Sequence, residues 1–352
     1  MGFIHPYDRP NSYIGRTLPR SRAMRAVAGR GRYTDDITPP RTLHAAFVRS
    51  PYAHAKILNI DTAAAKAADG VKLVMTGAEL ADMCTGPWVG TLKVFENMKA
   101  EPQYPMAVDR ACWHGEPVVM VIAETRAQAE DAGELVMVDY EELPVVIRKE
   151  KAIQPDSPVI HPNLGDNIAW EKVLGTGDVD KAFAEADHVL EETFEFGRHT
   201  AVSLEPRIVL SEYDPGTENL TIHTSSQCPH MIETVFARTL GVPEHKVRII
   251  APDVGGGFGT KIFHYAEEAF CTFAAKALER PVKWTSSRSE AFMSDAHGRD
   301  HVTKIELALD ADHNFTAVRT ETYANMGAYL STFAPSVPTW LHGTLMAGNY
   351  KT

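Results

Sequence analysis

The stretch Asp253-Val254-Gly255-Gly256-Gly257-Phe258-Gly259-Thr260-Lys261 decides how the rest of the chain is interpreted. Three β-branched residues within 247–250 predict a strand before it, and a helix is predicted after it, over 262–278. Four glycines let successive backbone N–H groups point into one concavity, and a helix N-terminus adds positive potential. The loop is therefore predicted to bind a phosphate, an oxyanion or a metal-oxo group rather than to form only a tight turn.

The common nucleotide-binding fingerprints do not fit this loop. GxxxxGK[ST] would require glycine at Thr260 and serine or threonine at Ile262. GxGxxG fails at Thr260 when it starts at Gly255, and at Ile262 when it starts at Gly257. A nicotinamide dehydrogenase is disfavoured for this reason.

A second segment, 224–230, joins a predicted strand to a predicted helix that starts at Pro229 and runs to about Leu240. It carries Gln227, whose amide offers two N–H donors and one acceptor just before the helix. Taken alone, a glutamine at such a junction is equally typical of a local turn contact.

The composition is that of an ordinary globular chain with about two domains. The chain has 352 residues, of which 44% are hydrophobic and 23% charged. Its net charge of −11 argues against a general nucleic-acid binder, which needs a basic surface. No apolar run has the roughly 18 residues of a membrane span, and the first residues lack a signal-peptide core. These features favour a cytoplasmic protein, or a periplasmic one only if a partner carries the export signal.

The cysteines and histidines do not predict a metal held by the protein. The chain has four widely spaced cysteines that form no CxxC pair, Cys84, Cys112, Cys228 and Cys271. This spacing excludes a zinc ribbon, a cysteine-ligated iron–sulfur cluster and a disulfide scaffold. Cys271 is expected to fill a core position. His264 and Glu268 lie four residues apart but lack a third ligand, so a surface pair is expected.

The first 33 residues form a predicted basic arm. Residues 1–32 hold seven arginines against one acidic residue, Asp8, and Pro6, Pro10 and Pro19 argue against a helix. The arm is expected to lie on the acidic body of its own chain, or alternatively to dock on a partner subunit.

Two α/β units with a linker are predicted. Residues 34–144 form the first unit and 145–168 a proline-rich linker, whereas 169–352 form the first part of a second domain. Residues 84–106 and 326–352 are expected to be loops. In the second unit, a strand at 188–196 is expected to pair with one at 208–213. The fold class is α+β, that is, mixed α/β.

Several further segments recur in one order. They are Gly29–Ile37, Phe47–Ala55, Gly115–Val118, Val138–Pro144 and Leu204–Arg207, followed by Gln227 and the glycine loop. Over essentially the whole chain this set resembles the molybdopterin-binding large subunits of the xanthine dehydrogenase family, particularly those of aerobic carbon monoxide dehydrogenases. The resemblance implies a hammerhead-type α/β domain followed by the first part of a molybdenum-cofactor-binding α/β domain.

The same resemblance implies an oxidoreductase that hydroxylates an aldehyde, an N-heterocycle or a CO-like substrate with oxygen from water. Its molybdenum would be held by the dithiolene of molybdopterin, usually the cytosine dinucleotide form. Electrons would pass to a 2Fe-2S small subunit and an FAD-binding medium subunit. Gln227 would donate a hydrogen bond to the oxo ligand, and Gly256, Gly257, Phe258 and Gly259 would bind the cofactor from the other side.

Two departures limit this reading. Ile262 stands where purine and aldehyde hydroxylases often carry glutamate, which argues against xanthine as substrate. The family's catalytic glutamate lies in a part that this chain does not match, so no general base is assigned. The chain is expected to be the N-terminal half of such a subunit, truncated or naturally split, and inactive without a C-terminal half and partner subunits. A cofactor-free scaffold derived from such a subunit is the alternative.

Overall fold

The structure is a computed structural model that describes residues 13, 17–18, 20–81, 93, 95–350 and 352. Its helices are α1 Ser21–Val27, α2 Ala63–Ala67, α3 Gly77–Ala81, α4 Arg126–Glu134, α5 Lys149–Ala152, α6 Val179–Ala184, α7 Pro229–Leu240, α8 Ala266–Leu278, α9 Arg288–Ser294 and α10 His342–Leu345. Its strands are β1 Leu43–Arg49, β2 Ala55–Asp61, β3 Val71–Thr76, β4 Arg110–Ala111, β5 Pro117–Ala123, β6 Met137–Glu142, β7 His188–His199, β8 Ile208–Asp214, β9 Asn219–Thr224, β10 Val247–Ile250, β11 Val282–Thr285, β12 Gly298–Leu309 and β13 Phe315–Ala324. The mixed α/β class is confirmed.

A seven-stranded mixed sheet in the order β10-β9-β8-β11-β1-β5-β3 forms the centre of the fold. All seven residues of β5 are buried, as its continuous apolar run predicts. β1 lies between β5, to which it is antiparallel, and β11, to which it is parallel. The sheet and its core thus combine strands from before and after the predicted linker. The boundaries at 34–144 and 169–352 stay a prediction, but the two parts share one core.

Two three-stranded sheets, β4-β2-β6 and β13-β12-β7, flank the central one. The pairing expected between 188–196 and 208–213 is wrong. β7 pairs with β12, whereas β8 pairs with β9 and β11. The first four residues of β8 are buried, so it suits the middle of a sheet, whereas every residue of β7 is exposed.

Several helices differ from the expectations. The basic arm contains α1, because 21–27 holds none of the prolines that argued against a helix. The predicted linker contains α5, and the predicted loop 326–352 contains a π-helical turn, Val337–Leu341, that continues into α10. Much of the loop expected at 84–106, together with Cys84, lies outside the described residues.

The helix after the glycine loop begins at Ala266 rather than at residue 262. Thr260–Ile262 forms a 3-10 turn instead, and the Glu268 carboxylate accepts a hydrogen bond from the Tyr265 N–H at 3.1 Å, which caps α8. The glycine loop is therefore separated from the N-terminus of α8, and the helix contributes less potential than predicted. By contrast, α7 spans the predicted residues and ends at Gly241, whose φ is 64°.

Candidate functional site

The glycine loop connects β10 to the 3-10 turn and exposes its tip. Gly256 and Gly259 have φ values of 101° and 96°, and Phe258 between them has φ 51°. The Phe258 side chain is 78% exposed. A backbone in the left-handed region is strained for a residue other than glycine, and the apolar ring is held in solvent. Both features are typical of a surface that contacts another molecule.

Gln227 lies against this loop. Its Oε1 accepts a hydrogen bond from the Gly259 N–H at 3.0 Å. A Cβ atom at Gly257 would lie 2.3 Å from the same oxygen, so only glycine permits this approach. Because the amide oxygen is engaged, Nε2 is the free end, and it has no partner among the residues that the structure describes.

The two ends of the loop are held by one carboxylate that sequence reasoning did not single out. Oε2 of Glu205 accepts from the Gly255 N–H at 2.7 Å and from Lys261 Nζ at 3.0 Å. The Glu205 N–H in turn donates to the Gly255 carbonyl at 3.2 Å. Glu205 therefore sets the distance between Gly255, the first glycine of the loop, and Lys261 at its end.

Lys261 connects this carboxylate to Gln227. Its side chain is 2% exposed, and its carbonyl accepts from the Gln227 N–H at 2.8 Å. Burial lowers the pKa of Lys261, and Glu205 opposes this shift. The signal in the sequence was the Leu204–Arg207 motif, but nothing local predicts that its glutamate reaches Lys261.

A buried ionic cluster contacts the end of the loop through Tyr265. Arg207 binds Glu267 at 2.8 Å and Asp295 at 2.6 Å, and Arg49 binds Glu267 at 2.8 Å. Burial alone would raise the pKa of Glu267, but the two arginines outweigh it and lower that pKa. The Arg207 guanidinium also lies 3.7 Å from the ring centroid of Tyr265, whose hydroxyl donates to the Thr260 carbonyl. The cluster thus fixes the residue that follows Gly259.

The basic arm contacts the start of the loop. Arg25 forms an ion pair with Asp253, and the Arg32 N–H donates to the same carboxylate at 2.8 Å. The described part of the arm therefore lies on an acidic residue of its own chain, as expected. Arg20 and Tyr33 of the arm also line a cavity of about 750 Å³ beside Gly255, Gly256 and Phe258.

Two other predicted features have different outcomes. Cys271 is fully buried, which confirms it as a core residue. The expectation of a surface pair at His264 and Glu268 is wrong. His264 is 2% exposed, and its Nδ1 lies 3.2 Å from Glu268 Oε2. The reason is that α8 packs this side against the central sheet, where Thr224 also donates to Glu268.

Within the described ranges, none of the helices is long and apolar enough to cross a membrane. The sequence profile of the molybdopterin cofactor-binding domain matches residues 160–352. That of the aldehyde oxidase and xanthine dehydrogenase a/b hammerhead domain matches residues 28–144.

Individual relatives agree with these profiles. The nicotine 6-hydroxylase large subunit of Paenarthrobacter nicotinovorans is 38% identical over 92% of this chain and 40% of its own length. The carbon monoxide dehydrogenase large chain of Afipia carboxidovorans is 34% identical over 94% of this chain and 42% of its own. Among solved structures, quinoline 2-oxidoreductase from Pseudomonas putida 86 superposes with a TM-score of 0.90 at 34% identity, over 96% of this chain and 43% of that one.

The chain spans about two fifths of the length of these two curated relatives. The two profiles together cover most of it, and one of them alone covers more than half. It therefore belongs to the family of molybdopterin-binding large subunits that includes xanthine dehydrogenase and carbon monoxide dehydrogenase, the molybdenum hydroxylases.

Proposed function

We propose that Gln227 and the glycine loop form one wall of a molybdopterin site in a hydroxylase that oxidises a carbon centre of a small molecule. The observation that carries this proposal is the contact between Gln227 Oε1 and the Gly259 N–H. It leaves the amide N–H groups of Gln227 as oriented donors beside an open backbone. Oriented donors that need no rearrangement are the usual means of stabilising charge that changes during a reaction.

The residues present fit such a cofactor. A Cβ atom at Gly259 would meet nothing within 4 Å, so the backbone there is open to a ligand. The N–H groups of Gly256, Gly257 and Phe258 have no hydrogen-bond partner in the described part of the chain. The N–H of Gly259 is already engaged by Gln227, so Gly259 would contribute open space rather than a donor.

When bound, the molybdenum cofactor would supply the redox chemistry and the site at which oxygen from water is transferred. The chain's own residues then have three tasks. The Gln227 amide would donate a hydrogen bond to the bound cofactor, and Gly256 and Gly257 would offer it backbone N–H groups. The exposed ring of Phe258 would pack against the bound cofactor. Glu205 and Lys261 keep these groups in place.

The substrate class that we infer is an N-heterocycle. The named relatives include a nicotine 6-hydroxylase and a quinoline 2-oxidoreductase, which supports a ring carbon as the site of hydroxylation. Within that class, Ile262 argues against xanthine, because an apolar side chain cannot pair with the polar edge of a purine. The cytosine dinucleotide form of the pterin, and 2Fe-2S and FAD subunits as electron acceptors, remain part of this proposal.

The test is to express a complete large subunit that contains these 352 residues together with its partner subunits. The purified complex is then analysed for metal and pterin. We expect about one molybdenum per large subunit and incorporation of ¹⁸O from labelled water into a hydroxylated heterocycle. A folded complex that releases no pterin on denaturation would contradict the proposal and would favour the cofactor-free scaffold. The 352 residues alone are expected to show no turnover, because no general base is assigned among them.

A further inference from the structure

The β13-β12-β7 sheet has two faces of opposite character. Residues directly opposite each other in antiparallel strands point to the same face. One face therefore carries charged side chains of all three strands, among them an ion pair of 2.9 Å between Lys304 and Glu191. The other carries an apolar set, which we call the open face: Leu190, Phe194 and Phe196 of β7, Ile305 and Leu307 of β12, and Val318 of β13.

A helical segment already covers part of the open face. The hydroxyl of Thr322 on β13 lies 3.2 Å from Nε2 of His342, the first residue of α10. The neighbouring Thr303 on β12 is 4% exposed. The layer on this face is therefore helical, and it lies over β12 and β13.

The third strand is left uncovered. On β7, Leu190 is 58% exposed, Phe194 47% and Phe196 53%. Strands lie about 4.8 Å apart and a helix with its side chains is about 10 Å wide, so one helix covers roughly two strands. An amphipathic sheet needs its whole apolar face covered, and the edge strand β7 lies beyond the width of the first helix.

The covering helix itself also presents apolar surface. Trp340 is 51% exposed and Leu345 is 69% exposed, and both belong to the segment 337–345 that contains His342. A second helix beside this segment would contact apolar side chains of both the sheet and its neighbour. In a sheet covered by one layer of helices, the next helix would lie at this position.

From this we propose that the open face of β7 receives an amphipathic helix from the part of the large-subunit polypeptide that this chain does not match. The proposal rests on the proposed function as such a subunit. The nicotine 6-hydroxylase and carbon monoxide dehydrogenase large subunits are more than twice as long as the stretch that matches this chain, so most of their polypeptide lies outside it. Glu192 lies on the open face between Leu190 and Phe194, and the helix should therefore carry a lysine or arginine opposite it. A second copy of this chain fits less well, since each copy has a net charge of −11.

The experiment co-expresses the 352-residue chain with a tagged polypeptide that comprises the unmatched three fifths of the Paenarthrobacter nicotinovorans nicotine 6-hydroxylase large subunit. We expect a one-to-one complex in which amide hydrogen exchange along β7 slows. Phe194→Glu should weaken capture at least tenfold. Thr193→Glu, at the adjacent exposed position on the charged face, should leave capture within about twofold. Phe194→Ala serves as a milder variant, and circular dichroism checks folding of each.

Three outcomes would overturn the inference: no capture by the folded chain, equal capture by both glutamate variants, or a dimer of the chain alone that Phe194→Glu abolishes. Metal and pterin content of the same complexes separates this inference from the proposed function. Cofactor present with unchanged β7 exchange contradicts only the docking site. Slowed β7 exchange without cofactor contradicts only the proposed function.

Discussion

The side-chain oxygen of Gln227 accepts a hydrogen bond from the Gly259 N–H at 3.0 Å, across 32 residues of sequence. This contact joins the end of β9 to the end of the glycine loop. It also determines which end of the amide faces outward, because an oxygen that accepts from the backbone leaves the NH2 group free to donate.

Gln227→Glu separates the two roles of this side chain. A carboxylate can still accept from Gly259, but it cannot donate to an oxygen ligand. In a complete enzyme complex we expect the variant to fold and its kcat to fall about tenfold or more, as for loss of one oriented donor. Gln227→Ala should lose both contacts and fall at least as far. Steady-state kinetics with unchanged kcat in both variants would refute the assignment.

Gly257→Ala and Gly259→Ala should each disturb the glycine loop, but for different reasons. A methyl group at Gly257 overlaps Gln227 Oε1, so we expect the Gly259 amide to lose its acceptor and exchange faster. At Gly259 there is room, and the cost is backbone strain at φ 96°, about 1–2 kcal/mol. Hydrogen exchange of the Gly259 amide distinguishes the two effects. Equal exchange in Gly257→Ala and the parent would contradict the contact.

Phe258→Gly should not destabilise the isolated chain. Its ring is exposed and its φ of 51° costs about 1 kcal/mol or more for a side chain other than glycine. Thermal unfolding is therefore expected at the same or a slightly higher Tm. In a complete complex the same variant should lower kcat about tenfold, since the bound cofactor loses an apolar contact. A large drop in Tm would show that the ring packs against the protein.

Lys261→Met should destabilise the chain strongly. It leaves Glu205 as a buried charge without its partner, which typically costs about 3–5 kcal/mol. Lys261→Met combined with Glu205→Gln should recover part of the loss, because the amide oxygen still accepts from Gly255. The matched control is Lys56→Met, whose pair with Glu141 is about half exposed and should change the free energy of unfolding by about 1 kcal/mol or less. Urea denaturation measures all three.

Glu116 predicts a pH dependence of stability. It is buried beside β5, and burial raises its pKa from 4.5 to about 8, against hydrogen bonds from the Cys112 and Trp113 N–H groups. Between these two values the folded state holds a proton that the unfolded state releases, so stability falls as pH rises through this window. Glu116→Gln should flatten that slope, and Tm measured between pH 5 and 9 checks it. An identical slope in both proteins would contradict the shift.

Local patterns predicted the elements that depend on their own residues. The apolar run of β5 and the proline-to-glycine span of α7 needed no tertiary information. Two other features could not be predicted from their own residues. The partner of β7 is a strand about 110 residues away, and the start of α8 depends on the Tyr265–Glu268 capping contact. At the site, Gln227 was reached through resemblance. The Glu205–Lys261 pair was not, since 56 residues separate two side chains whose types are common on any surface.

The pairing of β1 with β11 also governs when the molecule can fold during synthesis. Leu43 is aligned with Val282, so the middle of the central sheet stays open until about 240 further residues have been made. At roughly 5–20 residues per second on the ribosome, that delay is on the order of 10–50 s. During it the edge of β1 that will pair with β11 stays unpaired. A nascent chain of this kind is therefore a natural client for chaperones that bind exposed hydrophobic strands.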